Sequence, residues 1–86
     1  MSARTNSRKN RATRFKVAKA GIIQFGERSI NCLVRSLSET GAGMDIINSK
    51  HSIPYTFELL IPGDGLKQSC RLVWRKDHRL GVAFIF

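Results

Sequence analysis

The chain has 86 residues, 42% of them hydrophobic, with two prolines and a formal net charge of +9. A chain of this length forms one small domain, which buries roughly 60–65% of the surface of its unfolded state. The composition excludes a disordered chain, and no apolar run approaches the ~20 residues of a membrane-spanning helix. The basic N-terminus is followed by no apolar segment, so we expect no secretory signal and a cytoplasmic protein.

The positive charge is concentrated at the start of the chain. The first twenty residues contain seven lysines and arginines and no acid, whereas the other 66 contain eight basic and six acidic residues. Residues 1–13 have almost no apolar side chains, so we predict a flexible basic arm over 1–13 and a folded domain over 14–86. Such an arm attracts nucleic acid, a nucleotide phosphate or an acidic lipid surface, unless it is simply a solvated tail.

Alternation of apolar and polar residues dominates the rest of the chain, and helical periods are scarce. The alternation predicts six strands, over residues 17–25, 30–35, 42–47, 55–61, 66–75 and 80–86. Turns are expected at "GER" (26–28), "PGDG" (62–65) and "KDHR" (76–79), with a loop over 48–54. Six short strands with glycine-rich turns predict an all-β fold, a small six-stranded antiparallel β-barrel.

The same alternation predicts which side chains fill the barrel. The expected core residues lie on one face of each strand: Ile30, Cys32, Val34, Phe57, Leu59, Cys70, Leu72, Val82 and Phe84. The aromatic residues of the later strands also fall on apolar faces and are expected in the core: Tyr55, Phe57, Trp74, Phe84 and Phe86. Only Phe15 lies beside arginines, where a ring could stack on a nucleic-acid base.

No group of residues has the composition of a catalytic or metal site. The acidic residues lie in turns or at exposed strand positions, and His51 and His78 have no second histidine at metal-ligand spacing. Cys32 and Cys70 are far apart in sequence, and we expect two buried, reduced thiols rather than a disulfide. We therefore expect a binding protein and not an enzyme, with no metal and no cofactor.

The stretch "RSLSETGAGMDI", residues 35–46, contains the most distinctive binding chemistry. It is either an ordinary turn between strands or a cradle in which hydroxyls and backbone N–H groups meet a ligand. Its glycines would let a planar ligand approach the backbone closely. The arginines upstream add bidentate donors that suit phosphate oxygens and can stack on a base.

Taken together, these stretches resemble the PilZ domain, a bacterial receptor module for cyclic di-GMP. Members of that family have an RxxxR motif before the first strand, a (D/N)xSxxG motif after the second, and a six-stranded barrel. Here "RKNRATRFKVAKAG" (8–21) stands at the first place, "SLSETGAG" (36–43) at the second, and "VWRKDHRLGVAF" (73–84) is similar to the closing hairpin. The resemblance covers nearly all of residues 8–86.

Both motifs depart from the family pattern. The arginine pair falls on Asn10 and Arg14 or on Arg11 and Phe15, so each register lacks one arginine. Ser36 replaces the Asp or Asn of the second motif, whereas Ser38 and Gly41 match it. The resemblance implies a cyclic di-GMP site formed by eight residues: Arg8, Lys9, Asn10, Arg11, Arg14, Ser36, Ser38 and Gly41.

Three functions follow as hypotheses. The first is a single-domain cyclic di-GMP receptor that changes its surface on binding and signals to a partner protein of motility or polysaccharide export. The second is a PilZ-like adaptor that has lost nucleotide binding and works through protein contacts, which the altered motifs favour. The third is a basic barrel that binds nucleic acid, which the arm favours and the predicted burial of the aromatic residues opposes.

Overall fold

The computed structural model describes residues 14–48 and 50–86. Their fold is a closed barrel of six antiparallel strands, which confirms the predicted fold class. The strands are β1 (Phe15–Phe25), β2 (Arg28–Leu37), β3 (Gly41–Ile46), β4 (Thr56–Ile61), β5 (Leu66–Lys76) and β6 (Arg79–Phe84). The predicted arm over residues 1–13 lies outside the described residues.

The strands follow the order β1-β2-β3-β6-β5-β4 around the barrel, and β4 closes it against β1. This closing ladder is short, since only Ile22–Gln24 pair with Glu58–Leu60. Two residues beyond Ile22, the register would place Ala20 opposite Pro62, which has no N–H group to donate. The chain instead leaves the ladder there in a single 3₁₀ turn, Pro62–Asp64.

Tight turns connect the hairpins where the sequence predicts them. Gly26 and Gly65 have φ angles of 58° and 65°, and Asp77 has a φ of 55°. Glycine adopts this left-handed region without a steric penalty, and Asp tolerates it better than most residues. The β1–β2, β4–β5 and β5–β6 connections are therefore set by local sequence.

The barrel interior is a single hydrophobic cluster with no buried polar or charged residue among those described. Seven of the nine predicted core residues are buried, and Leu72 and Phe84 are half-buried and pack against the cluster. Burial of each such side chain contributes roughly 1.5–3 kcal/mol. The buried residues also include Ile23, Ala42, Met44, Ile46, Ile61 and Leu80.

The prediction that the aromatic residues lie in the core is wrong for three of the five. Tyr55 is 64% exposed, Trp74 46% and Phe86 90%. Tyr55 precedes β4, which begins at Thr56, and Phe86 follows β6, which ends at Phe84, so neither is held on a strand face. Trp74 is on a strand, but an irregularity in β5 turns it to the outside of the barrel.

The two cysteines are free and buried, as predicted. Burial removes solvent from both thiols and raises the pKa of Cys32 and of Cys70 from 9.0 to about 12. Both side chains are therefore protonated at neutral pH and behave as small apolar groups.

Candidate functional site

Three register irregularities lie close together in one wall of the barrel. They occur between Lys16 and Lys19 of β1, between Val34 and Ser36 of β2, and between Leu72 and Trp74 of β5. Each places an extra residue in one strand of an antiparallel pair, and a bulge of this kind changes which face the following side chains occupy. Ser36 and Trp74, which strict alternation would put inside, therefore lie on the outer surface.

The outward-turned residues form one continuous row across five strands. Successive neighbours in the row are paired directly across the sheet: Lys16 (β1), Ser36 (β2), Gly43 (β3), Gly81 (β6) and Trp74 (β5). The two central positions are glycines, so the middle of the row has no side chains. Beside this row lies an open cavity of about 640 Å³, which we call the trough; the backbone of Gly43 forms part of its floor, and Val17, Met44 and Leu80 also line it.

Trp74 forms one side of the trough and depends on the glycine beside it. A Cβ atom at Gly81 would overlap the Nε1, Cε2 and Cδ1 atoms of the indole. The indole therefore lies directly against the strand backbone, while nearly half of the residue stays exposed. An indole held in this way offers an aromatic surface on which a planar group can stack.

Arg14 and Ser36 form the opposite side. The Nη1 of Arg14, the residue just before β1, donates a hydrogen bond of 3.3 Å to the Oγ of Ser36. The same Nη1 lies 3.9 Å from the position that a Cβ of Gly43 would occupy, so it reaches over the floor of the trough. The structure thus brings together two residues that the sequence assigned to the ligand site.

The trough has an excess of positive charge. Among the residues that the structure describes, four cationic side chains line it, those of Arg14, Lys16, Arg35 and Arg79, and the single acidic residue of the lining is Asp45. Asp45 accepts a hydrogen bond from Arg35 Nη1 at its Oδ2 and one from Arg79 Nε at its Oδ1, both at 3.1 Å. Four positive charges against one carboxylate create a potential that attracts an anion.

Ser38 and Gly41 shape the turn beside the trough and do not line it. The Oγ of Ser38 accepts hydrogen bonds from the backbone N–H groups of Thr40 and Gly41, and the N–H of Ser38 donates to the carbonyl of Gly41. A Cβ at Gly41 would collide with the backbone carbonyl oxygen of Val82, so β3 and β6 approach too closely for a side chain there. Turn geometry and strand packing therefore account for both residues.

The remaining predicted site residues, Arg8, Lys9, Asn10 and Arg11, lie outside the described residues. The sequence reasoning also missed most of the trough lining: Lys16, Arg35, Gly43, Asp45, Trp74 and Arg79. The sequence did contain one indication of the trough. Trp74 and Gly81 flank the "KDHR" turn, so a hairpin at this turn brings the two residues close together. Regular alternation nevertheless assigns that Trp to the core, and bulges have no clear sequence signature.

Comparison with known proteins adds no assignment, because no family model and no curated protein matches this chain. Within residues 14–48 and 50–86, no three His, Cys, Asp or Glu side chains come together as a metal site would require. The same residues contain no helix of the length and hydropathy that crossing a bilayer demands.

Proposed function

We propose that the protein is a receptor for cyclic di-GMP and that the nucleotide binds in the trough. The observation that carries this proposal is the pairing of Arg14 with Ser36 opposite Trp74, across a floor of glycine backbone. Cyclic di-GMP combines planar guanine bases with a phosphate-bearing ring. The trough offers an aromatic surface and several guanidinium groups at close range.

Each part of such a ligand has a matching group. The guanidinium of Arg14 and the ammonium of Lys16 suit phosphate oxygens, because bonds between ionised partners are roughly twice as strong as neutral ones. Trp74 provides a ring for a guanine base, and the glycine floor lets the base approach the strand backbone. The resemblance to the PilZ family supports the same assignment through Arg14 and Ser36.

Ser36 limits the affinity in this proposal. A serine is shorter than the Asp or Asn of the family motif, and its oxygen already accepts a bond from Arg14. A lost hydrogen bond to a charged partner is worth roughly 1.5–3 kcal/mol, and each 1.4 kcal/mol is about tenfold in affinity. We therefore expect weaker binding than the unaltered motif would give, unless other arginines compensate.

Calorimetric titration with cyclic di-GMP, GTP and a short single-stranded oligonucleotide tests the proposal. We expect saturable binding of cyclic di-GMP, weaker binding of GTP, and loss of binding in Arg14→Ala. The side chain of Arg14 is exposed and lies outside the barrel ladder, so its removal should leave the unfolding midpoint unchanged. If cyclic di-GMP does not bind the wild-type protein, the adaptor that acts through protein contacts replaces this proposal.

Signalling then takes place through the surface of the barrel. A bound nucleotide would cover Trp74 and neutralise the positive potential of the trough, and so change what a partner protein meets there. In this proposal the partner is a cytoplasmic protein that controls motility or polysaccharide export.

A second candidate, binding of single-stranded nucleic acid, gains support from the aromatic residues. Phe15, Tyr55 and Trp74 are 62%, 64% and 46% exposed, so rings for base stacking are available on a basic surface. Titration with the oligonucleotide decides between nucleic acid and cyclic di-GMP as the ligand. Tight binding of the oligonucleotide that falls steeply with salt, without binding of cyclic di-GMP, would favour this candidate.

A further inference from the structure

Asp45 is the one acidic side chain that lines the trough, and both of its oxygens hold an arginine. It occupies the middle strand, β3, between Arg35 on β2 and Arg79 on β6. The side chain of Asp45 is only 16% exposed, whereas those of Arg35 and Arg79 are 55% and 57% exposed. The carboxylate therefore lies beneath two guanidinium groups that face the solvent.

This arrangement has two opposing consequences for an anion in the trough. Asp45 fixes the directions of the two arginines, which helps binding. It also places a negative charge close to the ligand and engages one N–H of each guanidinium, which weakens binding. Both guanidinium groups are more than half exposed, so water already screens much of their attraction to Asp45, and fixing the arginines is the smaller effect.

We propose that Asp45 is an internal counter-anion that lowers the affinity of the trough for phosphate-bearing ligands. This inference deepens the proposed function and rests on it for the identity of the nucleotide, although any anion in the trough experiences the same charge. Removal of the carboxylate takes the formal charge of the lining from +3 to +4, since four cations then face no acid.

The sign and size of the effect follow from Coulomb's law with screening. For a ligand with two negative charges within about a Debye length, Asp45→Asn should tighten binding on the order of 3- to 10-fold at 0.1 M salt. For a ligand with one negative charge, such as cyclic GMP, the affinity should rise by roughly the square root of that factor. The gain should shrink as salt is added, because added ions screen the repulsion.

The chain offers a matched control for the change in net charge. Asp64 also pairs with a cation, Lys19, at 3.1 Å, but neither residue lines the trough. Asp64→Asn therefore alters the total charge by the same amount and should leave affinity within about twofold. Asp45→Ser, which removes the carboxylate without offering an amide, separates the loss of charge from any new hydrogen bond.

Trp74 supplies a direct readout, because it is the only tryptophan in the chain and forms one side of the trough. We would follow its fluorescence while titrating cyclic di-GMP, cyclic GMP and inorganic pyrophosphate into the wild type and the three variants. The expected result is tighter binding of every anion by both Asp45 variants, with a larger gain for cyclic di-GMP and pyrophosphate than for singly charged cyclic GMP, and a change within about twofold for Asp64→Asn.

The outcomes separate this inference from the proposed function. If pyrophosphate binds Asp45→Asn more tightly while cyclic di-GMP binds no variant, the inference stands and the nucleotide assignment fails. If cyclic di-GMP binds the wild type and the Asp45 variants bind it equally or less well, the inference is wrong and Asp45 acts by positioning the arginines. An equal gain in Asp64→Asn would also overturn the inference, because total charge would then explain it.

Discussion

Two walls of the barrel differ in how regularly their strands pair. In the regular wall, which comprises residues 21–32 of β1 and β2, β4, and residues 66–70 of β5, the strands pair without a shift of register, so inward and outward positions alternate along each strand. In the bulged wall, which contains the trough row, three extra residues break that alternation. The regular wall supplies much of the core, whereas the bulged wall turns Ser36 and Trp74 outward.

The difference shows how a small barrel can turn side chains to its surface and still keep its core. A chain of 86 residues has one modest core, and few of its side chains can leave that core without loss of stability. Bulges re-aim individual side chains at the surface while the strands on either side stay paired. We therefore expect variants of the regular wall to change unfolding and variants of the trough to change binding.

The largest effect on stability should come from the regular wall. Leu59 is fully buried in the middle of β4, so Leu59→Ala removes apolar contacts and leaves a cavity. The free energy of unfolding should fall by about 2–5 kcal/mol, measured by urea denaturation monitored by circular dichroism. A loss below about 1 kcal/mol would show that the barrel interior is not packed as described.

Gly41→Ala tests the close approach of β3 to β6. The added Cβ meets a backbone carbonyl, that of Val82, which cannot rotate away, and such overpacking should reduce the free energy of unfolding by about 1–3 kcal/mol. Gly63→Ala is the matched control, since a Cβ at Gly63 would meet no atom within 4 Å and should change stability by less than about 0.5 kcal/mol. If both substitutions reduced the free energy of unfolding equally, the close approach of β6 would not explain why position 41 is a glycine.

These two positions also show how far the sequence could predict the fold. Alternation around Leu59 identifies the strand, its inward face and its burial, because β4 contains no bulge. The glycine of "SETG" is visible in sequence, but its reason, the close approach of β6, depends on residues forty positions away. Local pattern therefore predicts the strands and turns, and it cannot predict contacts between strands that are distant in sequence.

The site was predicted less completely than the fold, for the same physical reason. Arg14 and Ser36 emerged from a motif and lie together in the trough. Trp74 was assigned to the core because the alternation from Cys70 through Leu72 continues to it without any sign of the bulge. The sequence placed Lys16 before the first strand, Arg35 on a strand and Arg79 in a turn, and only the pairing of β1, β2, β3 and β6 brings them to one surface.

The smallest expected effect on stability comes from the two buried cysteines. Ionisation of their thiols at high pH tests the packing of the regular wall. A thiol whose pKa is raised in the folded chain ionises more readily once the chain unfolds. Stability is therefore unaffected below the unfolded pKa, near 9.0, and falls as pH rises from there toward about 12. We expect a loss of roughly 1 kcal/mol per thiol per pH unit above pH 9, measured by urea denaturation at pH 8, 9 and 10.

A variant without thiols separates this effect from the titration of lysines and tyrosine. Cys32→Ala with Cys70→Ala should be less stable at pH 8, because both side chains fill the core, but its stability should decline less between pH 9 and pH 10. An equal decline in the variant and the wild type would mean that the buried thiols do not contribute.

A map of amide chemical shifts during titration with cyclic di-GMP tests whether the bulged wall binds the nucleotide. We predict that the ¹H–¹⁵N resonances that move most belong to Lys16, Ser36, Gly43, Gly81 and Trp74, including the indole N–H of Trp74. The resonances of residues 21–32 in the regular wall should stay in place. Shifts centred on the regular wall, or no shifts at saturating nucleotide, would show that the bulged wall does not bind cyclic di-GMP.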